Sequence, residues 1–317
     1  MEWGGSSKDA ERGCVKLRIG TAGATALLIL TTALTGLAGA ELLLTISPGP
    51  ALPGGGRGPD DLLRRVNPAG AYTVGSVTIT LAGLTVKGGS GLARDPLTGT
   101  LYALLKIQGR TFPELVTLED SGVATSIGNT SDKFAGIAFT DDGTLYGVSG
   151  DGGIIPESLY TLSTVDASAT FIMILGAGSD GETLAFNPDG GLLYHASGIG
   201  SQNQASNGEI FETINPDPEH PDYLDVTNVP LSGFDYEELL ALTYSDGDFY
   251  AADLGDYAVD MPGLLHITTG GVVTFVGDLD HVVKGITLYE LPEPAQVLQL
   301  LVGVGFLVAA RPRRMRG

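Results

Sequence analysis

The sequence predicts an all-β chain, a β-propeller of five blades with six as the alternative, flanked by an N-terminal signal helix and a C-terminal transmembrane helix. Three observations predict it: a phrase that recurs at near-constant spacing, a pair of hairpins inside every repeat, and an apolar run near each terminus beside basic residues. They divide the chain into residues 1–40, 41–290 and 291–317.

The phrase reads GLARDPLTGTLYAL from Gly91, GIAFTDDGTLYGV from Gly136, TLAFNPDGGLLYHA from Thr183 and LLALTYSDGDFYAA from Leu239, with a truncated GITLYE from Gly285. With Leu92, Ile137, Leu184, Leu240 and Ile286 as markers, the spacings are 45, 47, 56 and 46 residues, the length of a propeller blade. In each copy a short apolar segment meets a turn rich in Asp, Asn, Pro and Gly, and a second segment opens on Leu-Tyr or Phe-Tyr. That is a hairpin, because those turn residues tolerate the required backbone angles and β-rich runs flank them.

A second hairpin follows each phrase: LVTLEDSGVATSIG from Leu115, LYTLSTVDASATFIMILG from Leu159, IFETINP from Ile210 and LLHITTGGVVTFVG from Leu264. Two hairpins make four antiparallel strands, and the segments are too short and glycine-rich for a helical solenoid. The array opens with the outer half of a unit at Leu62 and stops at Tyr289 after one inner strand. Closure of the ring then needs a strand from elsewhere, and Leu42–Ser47 (LLLTIS) is the candidate, since pairing it with the last unit removes an exposed edge. A sixth blade would have to hide in residues 48–61 and the long fourth unit. Over residues 62–289 the phrases resemble secreted bacterial propellers related to the NHL and quinoprotein types, which implies the fold and leaves the activity open.

Lys16 and Arg18 precede the apolar stretch 21–37, and Ala38-Gly39-Ala40 supplies the small residues of a signal-peptidase site at Ala38 and Ala40, so Glu41 is expected to open the mature protein. Residues 1–14 carry three acidic side chains, unlike the start of an export signal, whereas Val15 onward reads as one, which leaves Met1 and Val15 as the alternative starts.

At the other end Pro292-Glu293-Pro294 precedes 16 mostly apolar residues, 295–310, and Arg311, Arg313, Arg314 and Arg316. Sixteen helical residues span about 24 Å, short of the roughly 30 Å hydrocarbon core, and the arginines would be held on the cytoplasmic side. The segment resembles a PEP-CTERM sorting signal of Gram-negative bacteria that make exopolysaccharide. That resemblance implies an exosortase as partner, cleavage at or near Pro292-Glu293-Pro294, and delivery through the inner membrane to the cell envelope or beyond, with exopolysaccharide or envelope proteins as further partners.

Between residues 41 and 294 there are nine basic and 34 acidic side chains, a net charge of −25, which argues against nucleic acid and anionic lipid surfaces. Cys14 and Trp3 lie ahead of residue 41, so the exported part has neither a thiol nucleophile nor disulfides. No nucleophile elbow, P-loop or H-E-x-x-H motif occurs, and His195, His220, His266 and His281 are scattered. The expectation is accordingly a chain that is not an enzyme, a binding or structural propeller without cofactor. Its alternative is a calcium-dependent, lactonase-like hydrolase with carboxylates converging in the channel. The Asp-Gly clusters fall at equivalent turns and read first as turn formers. Asp246, Asp248, Asp253 and Asp256 crowd most closely and are the candidate calcium ligands, and the acidic loop 215–225 with Glu219, His220 and Asp222 is the next place for a metal.

Overall fold

Each phrase folds as the two innermost strands of a blade, and five such blades stand around one axis in the computed structural model, which describes residues 41–50, 58–150, 152–175, 183–199, 209–233, 238–255 and 261–289. From the axis outward, blade I is Gly285–Tyr289, Leu42–Ile46, Leu62–Asn67 and Tyr72–Thr78. Blade II is Val86–Arg94, Leu101–Ile107, Glu114–Leu118 and Val123–Asn129. Blade III is Phe134–Phe139, Leu145–Ser149, Ser158–Leu162 and Ala169–Ile174, and blade IV is Thr183–Asn187, Leu192–Ile199, Glu209–Ile214 and Val226–Asn228. Blade V is Leu239–Ser245, Asp248–Asp253, Gly263–Thr268 and Val272–Asp278. Five blades answer the choice between five and six; the long fourth unit spends its extra residues on the loop after Ile214.

The closing strand is the one expected. Leu42–Ile46 pairs antiparallel with both Gly285–Tyr289 and Leu62–Asn67, with Thr45 opposite Ile286 and Leu43 opposite Leu288. Leu43, Leu44 and Ile46 are fully buried there, each contributing about 1.5–3 kcal/mol by leaving water. Two blades exceed four strands: Thr80–Leu81 and Ser232–Gly233 add short parallel strands to the outer edges of blades II and V. These segments link one blade to the next and cover an edge that would otherwise be open to pairing.

Burial follows position. Second strands are packed on both faces by the neighbouring blades, so Leu145–Ser149 is buried at every residue, whereas the outer strand Val123–Asn129 is mostly exposed. The tyrosine of the phrase bridges blades: the Tyr102 ring lies 5.1 Å from Phe139 and that of Tyr194 lies 4.5 Å from Phe249. Near the axis the inner strands approach so closely that Gly136 has no room for a side chain, a Cβ there lying 2.9 Å from the Leu184 nitrogen.

Register corrects one marker. Ala93, Ala138 and Ala185 stand opposite Tyr102, Tyr146 and Tyr194, but in blade V it is Thr243 that faces Tyr250. The equivalent of Leu92 is therefore Leu242 and not Leu240. The cause is a tighter turn: Ser245 pairs directly with Asp248, and Asp246 and Gly247 both take positive φ, 47° and 99°, as a two-residue hairpin turn requires.

The signal residues Ala38 and Ala40, the motif Pro292, Glu293 and Pro294, and Arg311, Arg313, Arg314 and Arg316 lie outside the described residues, as do the segments expected to form the two flanking helices. Among the described residues no helix is long and apolar enough to cross a membrane.

Candidate ligand cup on the propeller axis

Stacking the five inner strands in their true register turns the repeat into an internal alignment. One ring is Leu92, Ile137, Leu184, Leu242 and Ile286, and two residues further on the positions read Arg94, Phe139, Phe186, Tyr244 and Leu288. All ten line one cup of about 310 Å³ at the end of the axis where the inner strands finish, with Pro96, Pro188 and Asp141 at its rim. Such a volume is at the lower end for small-molecule sites.

Four of the five rim positions carry large, largely apolar side chains, and the fifth carries an arginine. Arg94 Nη1 donates to the Gly99 carbonyl at 2.7 Å, while Nε and Nη2 are cut off from water and have no hydrogen-bond partner. A buried donor left open costs about 1–3 kcal/mol, more when charged, so Arg94 is held here at a local energetic cost. Arg94 is the sole cation and Asp141 the sole carboxylate among the lining residues.

Neighbouring turns hold the rim in place. Asp95 accepts from Leu97 N at 2.9 Å and Thr98 Oγ1 at 2.7 Å, Asp142 from Thr144 N at 3.0 Å, and Asn187 from Asp189 N at 2.9 Å. The clustered Asp and Asn thus close turns, as their repeat positions suggested. Tyr244 donates its hydroxyl proton to Asp189 at 2.5 Å, and that bond, with burial, pushes its phenol up to about 12.

The candidate calcium set does not come together. Asp248 and Asp253 begin and end one six-residue strand, a separation of about 16 Å at roughly 3.3 Å per residue, against metal–oxygen distances near 2.4 Å. Asp246 sits in the turn at the first end; Asp253, at the far end, accepts from Gly263 N. Asp256 lies outside the described residues. Crowding in sequence here is the two ends of a strand. In the loop 215–225, His220 is exposed and its Nδ1 accepts from Asp222 N at 3.2 Å, so the histidine caps its own turn. Among the described residues no three His, Cys, Asp or Glu side chains are grouped to hold a metal.

At the opposite end of the axis, buried carboxylates serve the backbone. Asp132 accepts from Lys133 N and Ile154 N, both at 2.7 Å, and Glu209 from Gly198 N at 2.9 Å and Leu239 N at 3.3 Å, tying blade IV to blade V. Glu157, Glu238 and Asp253 are buried at the same end.

Two histidine pairings escaped sequence reasoning because their partners lie across strands. His195 Nδ1 meets Glu212 Oε1 at 3.0 Å, with both residues buried, where other blades carry Ala103 with Val116 or Ala251 with Leu265. His195 Nε2 has no partner. His281 joins Thr45 and Asp280 at the closure of the ring.

No family model matches the chain and no curated protein matches it by sequence. Solved structures do match it in fold. One is a nidogen/laminin complex, at 13% identity over 79% of this chain and 98% of that one, with a TM-score of 0.47. A gluconolactonase from Xanthomonas campestris matches at 15% identity over 79% and 84%, TM-score 0.45. A PQQ-bound aldose sugar dehydrogenase from Streptomyces coelicolor matches at 15% over 74% and 80%, TM-score 0.39. Likeness at this level concerns the β-propeller fold alone. It does correct one expectation: enzymes share this fold, so the lack of a familiar catalytic motif is no ground for reading the chain as a non-enzyme.

Proposed function

We propose that the chain is an exported propeller that takes a small ligand into the cup on its axis. The observation that carries this reading is the cup itself, an apolar ring of Leu92, Ile137, Leu184, Leu242 and Ile286 under a rim where Arg94 alone breaks the aromatic and aliphatic pattern. Export and release belong to the same proposal: residues 1–40 direct the chain outward, and an exosortase cuts at Pro292-Glu293-Pro294, freeing the propeller to the envelope or matrix. The cup is tested with Leu288→Trp, which fills the mouth from a half-buried position. Binding of cyclohexanecarboxylate to the full chain, followed by calorimetry, is expected to be lost in that variant at unchanged melting temperature; equal binding in both proteins would remove the cup from the account. Processing is tested by following the mass of the protein in cells with and without the exosortase; an intact tail in both would refute it.

A hydrolytic reading has one observation in its favour, the burial of the carboxylates Asp132, Glu157, Glu209, Glu238 and Asp253, each at the end of its blade opposite the cup. Hydrolysis of a sugar lactone by the full chain, assayed with and without added calcium and lost in Glu238→Gln, would establish it; a rate equal to the uncatalysed one under both conditions would end it.

A further inference from the structure

We infer that the ligand of the cup is a compact apolar body, such as a cyclohexyl or phenyl ring, carrying a single polar group, and that hydroxyl-rich molecules such as sugars are excluded from it. This rests on the reading of the cup as a ligand site and adds the chemical class.

The class follows from how few polar atoms the cup offers. The lining side chains with polar groups are Arg94, Asp141, Thr243, Tyr244 and Thr287. Arg94 gives Nη1 to the Gly99 carbonyl at 2.7 Å, and its Nε and Nη2 are sealed from water, so that edge of the guanidinium does not face the space a ligand fills. Tyr244 donates its proton to Asp189. Asp141 is exposed at the rim, where water solvates it. There remain the hydroxyls of Thr243 and Thr287, both buried and both on the adjoining blades V and I. They offer a partner to at most one polar group of a ligand, on one side of the cup.

The other walls are hydrocarbon. Ala93, Ala138 and Ala185 hold the positions of those threonines on blades II, III and IV, beside the deeper leucine and isoleucine ring. At the rim, aromatic rings stand on three successive blades, and two of them are backed from behind: Phe139 by Tyr102 at 5.1 Å and Tyr244 by Phe249 at 5.3 Å. Hydrocarbon set against these walls is favoured by its own removal from water. A ligand hydroxyl facing them loses its bond to water and gains none, and one such loss is enough to weaken binding about tenfold.

The test sets cyclohexylmethanol, a ring with a single hydroxyl, against myo-inositol, a ring of the same size with a hydroxyl on every carbon, on the full chain by calorimetry. The alcohol is expected to bind at least about tenfold tighter than inositol, and Leu288→Trp to abolish its binding. Inositol binding as tightly as the alcohol, or an alcohol that fails where cyclohexanecarboxylate binds, with binding lost in Leu288→Trp, would overturn the assigned class and leave the cup reading standing. Binding of none of the three, or binding untouched by Leu288→Trp, would overturn both. The native comparison decides the class even where Leu288→Trp folds poorly.

Discussion

Thr45 Oγ1 and His281 Nε2 lie 2.9 Å apart although 236 positions separate them in the chain. Thr45 belongs to the strand that closes the ring and His281 to the link that leads from blade V into the last inner strand, so the bond joins the two ends of the array. The histidine is held from its other side by Asp280, 2.6 Å from Nδ1, which also accepts from Thr73 Oγ1 at 3.0 Å on the outer strand of blade I. With Nδ1–H donating to Asp280, Nε2 accepts from the Thr45 hydroxyl.

This latch makes closure sensitive to acid. Burial pushes His281 below its ordinary value of 6.5, with Arg64 acting the same way and Asp280 and Asp60 against it. The folded protein therefore binds the proton less readily than the unfolded chain, so the stabilisation is complete above pH 6.5 and is lost as pH falls below it. Burial raises Asp280, but the hydrogen bonds from His281 and Thr73 outweigh that and leave it lowered from 3.8, so its contribution is also present at higher pH and lost on acidification. The melting temperature is expected to fall between pH 7 and pH 5, and hydrogen exchange at Leu42–Ile46 to accelerate ahead of the other blades. His281→Gln should flatten that dependence; an unchanged slope would assign the acid sensitivity elsewhere.

Close packing at the axis gives a second expectation. Gly136→Ala sets a methyl carbon against the Leu184 backbone nitrogen at 2.9 Å and should cost about 1–3 kcal/mol in urea unfolding. Gly75→Ala, on the outer strand of blade I with nothing within 4 Å, should be neutral or stabilising by about 0.5–1 kcal/mol. Similar costs at both positions would mean that the inner strands are not in contact as described.

Blade IV supplies the third. Glu212→Leu alone leaves His195 buried with both ring nitrogens unpaired and should destabilise by about 1–3 kcal/mol. The double change His195→Ala with Glu212→Leu copies the Ala251 and Leu265 pair of blade V and should recover most of that loss, as replacement of a buried polar pair by apolar groups often does. A double variant less stable than the single one would mark the pair as contributing net stability.

The fold was legible because a repeat states itself several times. GIAF, the Tyr of the hairpin and the unpaired ends at Leu62 and Tyr289 led to blades, to their number and to Leu42–Ile46 as the closing strand. What the phrases did not disclose was register in blade V, where the two-residue turn at Asp246-Gly247 shifts the equivalence from Leu240 to Leu242. The cup follows from that register: Arg94 was in plain view inside GLARDP, yet its singularity emerges only when it stands level with Phe139, Phe186, Tyr244 and Leu288. The aspartates misled for the converse reason, since neighbours along a strand such as Asp248 and Asp253 face opposite ends of the blade. His195 with Glu212 and His281 with Thr45 depend on cross-strand contacts that no local spacing encodes.

The most direct test of the central claim uses the lack of tryptophan between residues 41 and 317. Phe186→Trp places an indole at the rim of the cup, and any Trp3 retained in the leader is removed by Trp3→Phe. Titration of that full chain with cyclohexanecarboxylate is expected to shift the emission of the introduced indole saturably to the blue as water leaves the cup. An emission spectrum that stays unchanged through saturating concentrations would contradict the assignment of the axial cup as the ligand site.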